Sequence, residues 1–285
     1  NNRWQINFET TVVNADYEDK SVTAESSIIG ADGSVLAEGS GEGRVKLREK
    51  GVIKYSAEVC NPLLWDCDNP NRYTVKTVLK TNGEEIDENT TRIGFRAVEI
   101  TVENGLLLNG KPTFINGVCA HQDFGLTGLA VPENIAKYKV SLMKEMGANG
   151  YRTSHYQQTK SYMDAFDEQG FLVMDEARWF ESTKEAMEQL ESLIKRDRNR
   201  PSVIMWSTSN EEPLHITDTG RKLHKAIAAQ IRKYDYTRPV TAAEDKTPDK
   251  SAIYDECDFI GINYNLSIYD TVHKMRPNKP VFASE

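Results

Sequence analysis

The sequence lacks three features that often identify a function at once: a metal-ligand cluster, a glycine-rich phosphate loop and a long apolar segment. Its five histidines and four cysteines are scattered over 285 residues, with no Cys-x-x-Cys and no histidine pair at metal-binding spacing. We therefore predict neither a metal site nor a cofactor. No run approaches the ~18 apolar residues of a membrane-spanning helix, so we expect no membrane partner.

A dense block of charge of one sign is missing as well. The chain carries 35 Lys and Arg against 43 Asp and Glu, a net charge of -8, and no basic tract stands out. Nucleic acid and anionic membranes are therefore disfavoured as partners. For the cysteines, free thiols are favoured over a Cys60–Cys67 bridge. Cysteines that stay as free thiols are typical of a reducing compartment, which favours the cytoplasm.

The first third of the chain has the pattern of β-strands. Residues 4–13, 21–29 and 73–80 alternate between apolar and polar side chains, and turn signals such as Thr81-Asn-Gly-Glu separate such segments. No convincing helix interrupts them. Residues 1–97 are therefore predicted to form a β-sandwich of immunoglobulin-like type.

From residue 98 the pattern changes to strands that alternate with helices, which is typical of parallel strands joined by helical crossovers. The absence of a glycine-rich turn after the first strand favours a (β/α)8 TIM-type barrel over an open sheet. The predicted helices cover 133–146, 160–169, 183–197 and 218–233. The predicted strands cover 114–120, 150–155, 171–175, 203–207, 239–243, 259–264 and 281–284.

Seven strands are one fewer than a complete barrel of this type, and residues 98–285 fall short of the ~200 residues that such a barrel needs. We therefore predict a catalytic domain truncated after its seventh strand. The chain starts with Asn-Asn-Arg-Trp and has no initiator methionine or signal peptide. We interpret it as a fragment of a longer protein, and we expect the fragment itself to be weakly active or inactive.

Two carboxylates, Glu211 and Glu285, follow apolar runs that read as buried strands four and seven. In such barrels the C-terminal ends of the strands carry the chemistry. Paired carboxylates are what glycoside hydrolysis requires, one to protonate the leaving oxygen and one to attack the sugar carbon. A separation of ~5–5.5 Å would indicate retention of anomeric configuration, and ~6.5–9.5 Å would indicate inversion.

Other strand ends add polar groups to the same face of the barrel. An arginine near a carboxylate, such as Arg152, keeps a nucleophile ionised, and the Tyr264 hydroxyl can orient it. Simpler structural roles stay open for several residues. Arg152 could instead pair with Asp175 as scaffolding, His155 could be a structural histidine, and Trp206 is interpreted as barrel core.

The motifs resemble those of glycoside hydrolase family 2, which contains β-galactosidases, β-glucuronidases and β-mannosidases. The resemblance covers nearly the whole chain. It rests on these segments: Asn61-Pro-Leu-Leu-Trp, Arg92-Ile-Gly-Phe-Arg, Asn116-Gly-Val-Cys-Ala-His, Gly147-Ala-Asn-Gly-Tyr-Arg-Thr-Ser-His-Tyr, Arg196-Asp-Arg-Asn-Arg-Pro-Ser and Ser209-Asn-Glu.

The resemblance implies that Glu211 is the acid/base and Glu285 the nucleophile of a retaining enzyme that passes through a covalent glycosyl-enzyme. It further implies that Asn210 contacts the sugar 2-hydroxyl. The remaining residues implied to line the sugar subsite are Arg152, His155, Tyr264 and His121. Some relatives bind magnesium through a Glu and a His after strand three, but the segment here, Glu176-Ala-Arg-Trp-Phe-Glu-Ser, lacks the His.

The substrate is therefore expected to be a carbohydrate, most simply a β-galactoside, with β-glucuronidase activity as the alternative. A non-catalytic carbohydrate-binding or scaffold protein on the same fold is the alternative from another class. A pure binding module would have no use for two opposed carboxylates. Homo-oligomerisation of the full-length enzyme stays open.

Overall fold

The computed structural model describes residues 2–285, and the chain divides into two compact units. The first unit comprises the residues up to Trp65 together with Asn71–Phe95. The second unit comprises Asp66–Pro70 and Arg96–Glu285. The short segment is tied to the rest of the second unit by a hydrogen bond from Lys144 Nζ to the Cys67 carbonyl at 2.7 Å. No helix within the described part of the chain combines the length and apolar character needed to cross a membrane.

The first unit is an all-β sandwich, as predicted. Its strands are β1 (Arg3–Val13), β2 (Lys20–Ile29), β3 (Val35–Val45), β4 (Lys50–Cys60), β5 (Tyr73–Thr81) and β6 (Glu84–Ile93). β1 pairs with β4, and the other four form an antiparallel sheet in the order β3-β2-β5-β6. Apolar residues from both sheets, among them Ile28, Val59 and Tyr73, pack together between them.

The predicted turn at Asn82-Gly83 joins β5 to β6. Both residues have positive φ, 52° and 84°, which is the signature of the tight turn that matches the twist of a hairpin. This local prediction is confirmed.

The second unit opens with a small antiparallel sheet and continues as the predicted barrel. The small sheet contains β7 (Val98–Thr101), β8 (Gly105–Leu108) and β9 (Lys111–Pro112). The barrel strands are β10 (Gly117–Cys119), β11 (Gly150–Arg152), β12 (Leu172–Glu176), β13 (Val203–Asn210), β14 (Val240–Glu244), β15 (Ile260–Ile262) and β16 (Val281–Ala283). The helices are α1 (Glu133–Glu145), α2 (Lys160–Gln169), α3 (Lys184–Asp197), α4 (Asp218–Tyr234) and α5 (Tyr269–Met275).

All seven barrel strands are parallel, and their order in the sheet is their order in the chain. Helices and strands share one apolar core that includes Val140, Phe166, Ile194 and Trp206, so Trp206 is barrel core as interpreted. The described residues thus supply seven strands of an eightfold barrel. Because the strands run in one direction, their C-terminal ends meet at one face.

One glycine explains why α2 ends where it does. Gly170 has φ 72° and follows the last residue of α2. A Cβ atom on it would lie 2.4 Å from the Cys67 carbonyl oxygen. Both the left-handed backbone and the close approach therefore require glycine at this position. The four cysteines are free thiols.

Candidate active site

The buried guanidinium of Arg152, at the end of β11, holds the polar groups of the barrel mouth together. Its Nη1 donates to Glu285 Oε2 at 2.9 Å and its Nη2 to Asn210 Oδ1 at 2.6 Å. On its other edge it bonds Glu176. Burial acts to lower the pKa of Arg152, but the Glu176 and Glu285 carboxylates outweigh it and raise the pKa. Arg152 is therefore a fixed cation.

Asn263, directly after β15, lies between the two predicted catalytic carboxylates. Its Nδ2 lies 2.8 Å from Glu211 Oε1 and 3.3 Å from Glu285 Oε2. Asn210 Oδ1, at 3.0 Å, shares the same amide nitrogen. Since the two glutamate oxygens contact one atom, they can be no more than about 6 Å apart.

The second oxygen of Glu285 is also held. Tyr264 donates its hydroxyl to Glu285 Oε1 at 2.6 Å. This hydrogen bond is the largest cause of a raised pKa for Tyr264, with burial second, so the hydroxyl stays protonated and acts as a donor. The Glu285 side chain, 23% exposed, is thus oriented from both sides.

Two of these residues have an unusual backbone. Glu211 and Tyr264 have φ of 54° and 59°, a region that non-glycine residues seldom adopt. The Glu211 turn is held by a hydrogen bond from its N–H to the Ala243 carbonyl at 2.8 Å. Such conformations concentrate at functional sites, where the surrounding structure compensates their cost.

The two predicted histidines lie beside this group. His155 Nδ1 is 2.9 Å from Glu176 Oε1, and its Nε2 is 4.0 Å from Glu285 Oε2. His121 is exposed at the surface, where its ring meets that of His155 edge-on at 5.6 Å and its Nδ1 lies 3.2 Å from the Tyr156 hydroxyl. His121 therefore packs against His155 and Tyr156 at the edge of this group.

The alternative pairing of Arg152 with Asp175 is wrong. Asp175 is fully buried and bonds Thr153. Burial, together with nearby Asp197, raises its pKa well above the usual range. Adjacent residues of a strand face opposite sides, so Glu176, not Asp175, faces Arg152.

The site residues predicted from the sequence do not include Asn263, Glu176 and Glu244. Asn263 lies at the end of a predicted strand and Glu176 follows one. That position is shared by many polar residues, so it did not distinguish these two as site residues. Glu244 ends β14 in full burial, and Ser209 Oγ donates to its Oε1 at 3.2 Å. Burial raises the pKa of Glu244 to about 9, so this carboxyl is protonated at neutral pH.

A metal ion does not fit at Glu176. The carboxylate oxygens already accept hydrogen bonds from Arg152 and Ser207 and contact His155. The described residues contain no group of three or more His, Cys, Asp or Glu side chains placed to hold a metal. The chemistry that this site can support is that of two facing carboxylates, one of them bound by a cation and a phenol.

Comparison with known proteins gives the family context. The family model for the TIM barrel domain of glycosyl hydrolases family 2 matches residues 98–184 and 179–284, and a second model of that family matches residues 1–96. The β-galactosidase BoGH2A of Bacteroides ovatus is 32% identical over 98% of this chain and 38% of its own length. The β-glucuronidase of Homo sapiens is 30% identical over 86% of this chain and 38% of its own.

A crystal structure of a glycosyl hydrolase family 2 member from Bacteroides cellulosilyticus has the same fold. It superimposes with a TM-score of 0.91 at 32% identity, over 99% of this chain and 40% of that one. The chain therefore spans about two fifths of the length of these relatives.

Proposed function

This chain belongs to glycosyl hydrolase family 2, and from that premise we propose that the protein containing it hydrolyses terminal β-glycosides with retention of configuration. In this proposal Glu285 is the nucleophile and Glu211 the acid/base. The preferred substrate is a β-galactoside.

The observation that carries the proposal is the position of Asn263 Nδ2 between the two carboxylates. The resulting limit of about 6 Å applies to the two oxygens that face each other, and it is compatible with the ~5–5.5 Å between the carboxyl groups of retaining enzymes. It supports direct attack by one carboxylate on the anomeric carbon.

The proposed reaction has two steps. In the first, Glu285 attacks the anomeric carbon while Glu211 gives its proton to the glycosidic oxygen, so that the aglycone leaves and a glycosyl ester forms. In the second, Glu211 takes a proton from water, the water oxygen attacks the same carbon, and the ester bond to Glu285 breaks. Two inversions give net retention.

The remaining contacts define proposed supporting roles. Arg152 and Tyr264 orient the Glu285 carboxylate from opposite sides. Asn210 accepts from Arg152 and Asn263 through its Oδ1. That fixes the amide so that its NH2 can donate to the sugar 2-hydroxyl, a contact that strengthens in the transition state. His155 and His121 would line the same subsite.

Two observations favour a neutral sugar. The cation that contacts these carboxylates is Arg152, which is buried and already pairs with Glu176 and Glu285, so it offers no free charge to a sugar carboxylate. A β-galactosidase is also among the most similar relatives. The similarity to β-glucuronidases makes a β-glucuronide the second candidate.

Hydrolysis by the full-length protein of nitrophenyl β-galactoside and nitrophenyl β-glucuronide tests the substrate. A much higher kcat/KM for the galactoside is expected, and the reverse would favour the second candidate. NMR of the first product tests the stereochemistry, with the β-anomer expected. Hydrolysis of neither substrate, with the protein folded and sugars still bound, would instead support the non-catalytic alternative.

A further inference from the structure

Glu176 contacts three other side chains of the barrel mouth although its own side chain is fully buried. Oε2 accepts from Arg152 Nε at 2.9 Å and from Ser207 Oγ at 2.8 Å, and it also lies 2.8 Å from Arg152 Nη2. Oε1 is 2.9 Å from His155 Nδ1. A carboxylate with this many partners determines the orientation of each of them.

We propose that Glu176 is a positioning residue with two effects: it aims the Arg152 guanidinium at Glu285, and it fixes which nitrogen of His155 carries a hydrogen. Glu176 itself does not touch the reacting atoms. The kinetic part of this inference rests on the proposed function, whereas the part that concerns His155 does not.

The first effect follows from the planarity of the guanidinium group. When Glu176 binds the edge formed by Nε and Nη2, the plane of the group and the direction of Nη1 are both set. Nη1 then bonds Glu285 Oε2 at 2.9 Å and the Ser284 carbonyl at 3.3 Å. Without Glu176, the same cation could turn about its side-chain torsions and bind Glu285 in another orientation.

The second effect follows from the chemistry of the partners. The carboxylate oxygens of Glu176 accept hydrogen bonds from Arg152 and Ser207, so we assign His155 Nδ1 as the donor to Glu176 Oε1 at 2.9 Å. Arg152 Nη2, which can only donate, lies farther from the same nitrogen, at 3.4 Å. In the neutral ring Nε2 is then an acceptor. Nε2 lies 4.0 Å from Glu285 Oε2, beside the space that the sugar would occupy. We therefore assign His155 as an acceptor for a hydroxyl group of the bound sugar.

The test is Glu176→Gln in the full-length protein, with trapping of the nucleophile by 2,4-dinitrophenyl 2-deoxy-2-fluoro-β-galactoside as the readout. The trapping rate should fall by about 100-fold, the effect expected of a small misplacement at the reacting centre, while KM for nitrophenyl β-galactoside changes little. Combining Glu176→Gln with Arg152→Lys should cost much less than the product of the single losses, because both act on one contact.

Asp235→Asn is the matched control, since Asp235 is a buried carboxylate paired with Arg238 at 2.7 Å and contacts none of the site residues described above. It should lower the melting temperature without slowing trapping. Glu176→Gln with the same kinetic behaviour as Asp235→Asn would overturn the first effect.

If Glu176→Gln does not fold, Ser207→Ala removes one hydrogen bond to Glu176, and its trapping rate should fall by roughly 3- to 10-fold. An unchanged rate would count against the proposal.

A ¹⁵N NMR spectrum of labelled histidine tests the second effect without any turnover, with His155 assigned through a His155→Gln variant. The unmodified protein should show a hydrogen on Nδ1 of His155, and Glu176→Gln should lose that preference. A hydrogen on Nε2 alone in the unmodified protein would overturn the assignment. If the unmodified protein hydrolysed no β-glycoside, the proposed function would be wrong. The spectrum would still show whether Glu176 determines which nitrogen of His155 carries the hydrogen.

Discussion

Arg152 and Glu285 form an ion pair across 2.9 Å although 133 positions separate them in the chain. The pair joins the second barrel strand to the end of the seventh. Tyr264 holds the other oxygen of the same carboxylate, so Glu285 is oriented before any substrate arrives. Preorganisation of this kind lowers the reorganisation that a reaction must otherwise complete.

Replacing Glu285 by alanine in the full-length protein should lower hydrolysis of nitrophenyl β-galactoside by several orders of magnitude, because no group remains to form the glycosyl ester. Azide can occupy the vacated space and attack the anomeric carbon once, which should yield an α-galactosyl azide. Nitrophenolate release with and without azide measures the rescue, and NMR identifies the product. Glu188→Ala, on the exposed face of α3, should behave like the unmodified protein. An α-anomer as the first product of the unmodified protein would rule out retention.

Tyr264→Phe should lower kcat by about 10- to 100-fold, since a hydrogen bond to a charged group contributes roughly 1.5–3 kcal/mol. The loss should fall on the nucleophile step, so trapping by the fluorinated galactoside should slow to a similar extent. Tyr236→Phe is the control, because Tyr236 is 83% exposed and lies outside the barrel mouth. Equal kinetics for the two variants would show that the Tyr264 hydroxyl does not orient Glu285.

Glu244→Gln should stabilise the protein by an amount that grows with pH. Burial raises the pKa of Glu244 in the folded protein to about 9, against an ordinary value of 4.5. Below pH 4.5 both states hold the proton and the carboxyl has no net effect. As the pH rises toward 9 the unfolded chain releases its proton and the folded chain does not, so stability falls by about 1.4 kcal/mol per pH unit.

A glutamine cannot ionise, so it escapes this loss and can still accept from Ser209. Urea unfolding at pH 5 and pH 8 should show the advantage of Glu244→Gln increasing by roughly 2–4 kcal/mol over that interval. The exposed Glu188→Gln should show no such increase. A difference that is the same at both pH values would mean that Glu244 is ionised in the folded protein.

Gly170→Ala should destabilise the barrel by more than about 3 kcal/mol, because the new methyl group meets the Cys67 carbonyl oxygen as well as a positive φ. Gly83→Ala separates the two effects. Gly83 also has a positive φ, 84°, but no atom lies within 4 Å of its Cβ position, so the cost there should be about 1 kcal/mol. Thermal unfolding of both variants measures the difference, and equal losses would contradict the close approach.

Local patterns were sufficient to predict much of the fold. The helix over Lys160–Gln169 with its terminal Gly170, and the hairpin at Asn82-Gly83, agree with the structure. Both depend on backbone preferences of residues that are neighbours in the chain. The placement of Glu211 and Glu285 at one face of the barrel was predicted for a similar reason, since parallel strands that alternate with helices must end at the same face.

Contacts between strands were not predictable in the same way. That Arg152 bonds Glu176, and that Asn263 reaches two carboxylates, depends on the stagger between neighbouring strands and on side-chain torsions that no local pattern encodes. Glu244 was missed because a buried, protonated acid and a solvated one look alike in the sequence. Only its environment, not its identity, raises the pKa of its carboxyl.

The Asn263 amide nitrogen has a consequence for how this protein can change over evolution. Asn263 follows β15 and contacts both acids, whereas the acids themselves follow β13 and β16. The loop beyond Glu211 could therefore differ in length or shape while Asn263 keeps the same contacts with both acids. Under the proposed function, substrate preference and stereochemical outcome would therefore depend on different parts of the chain.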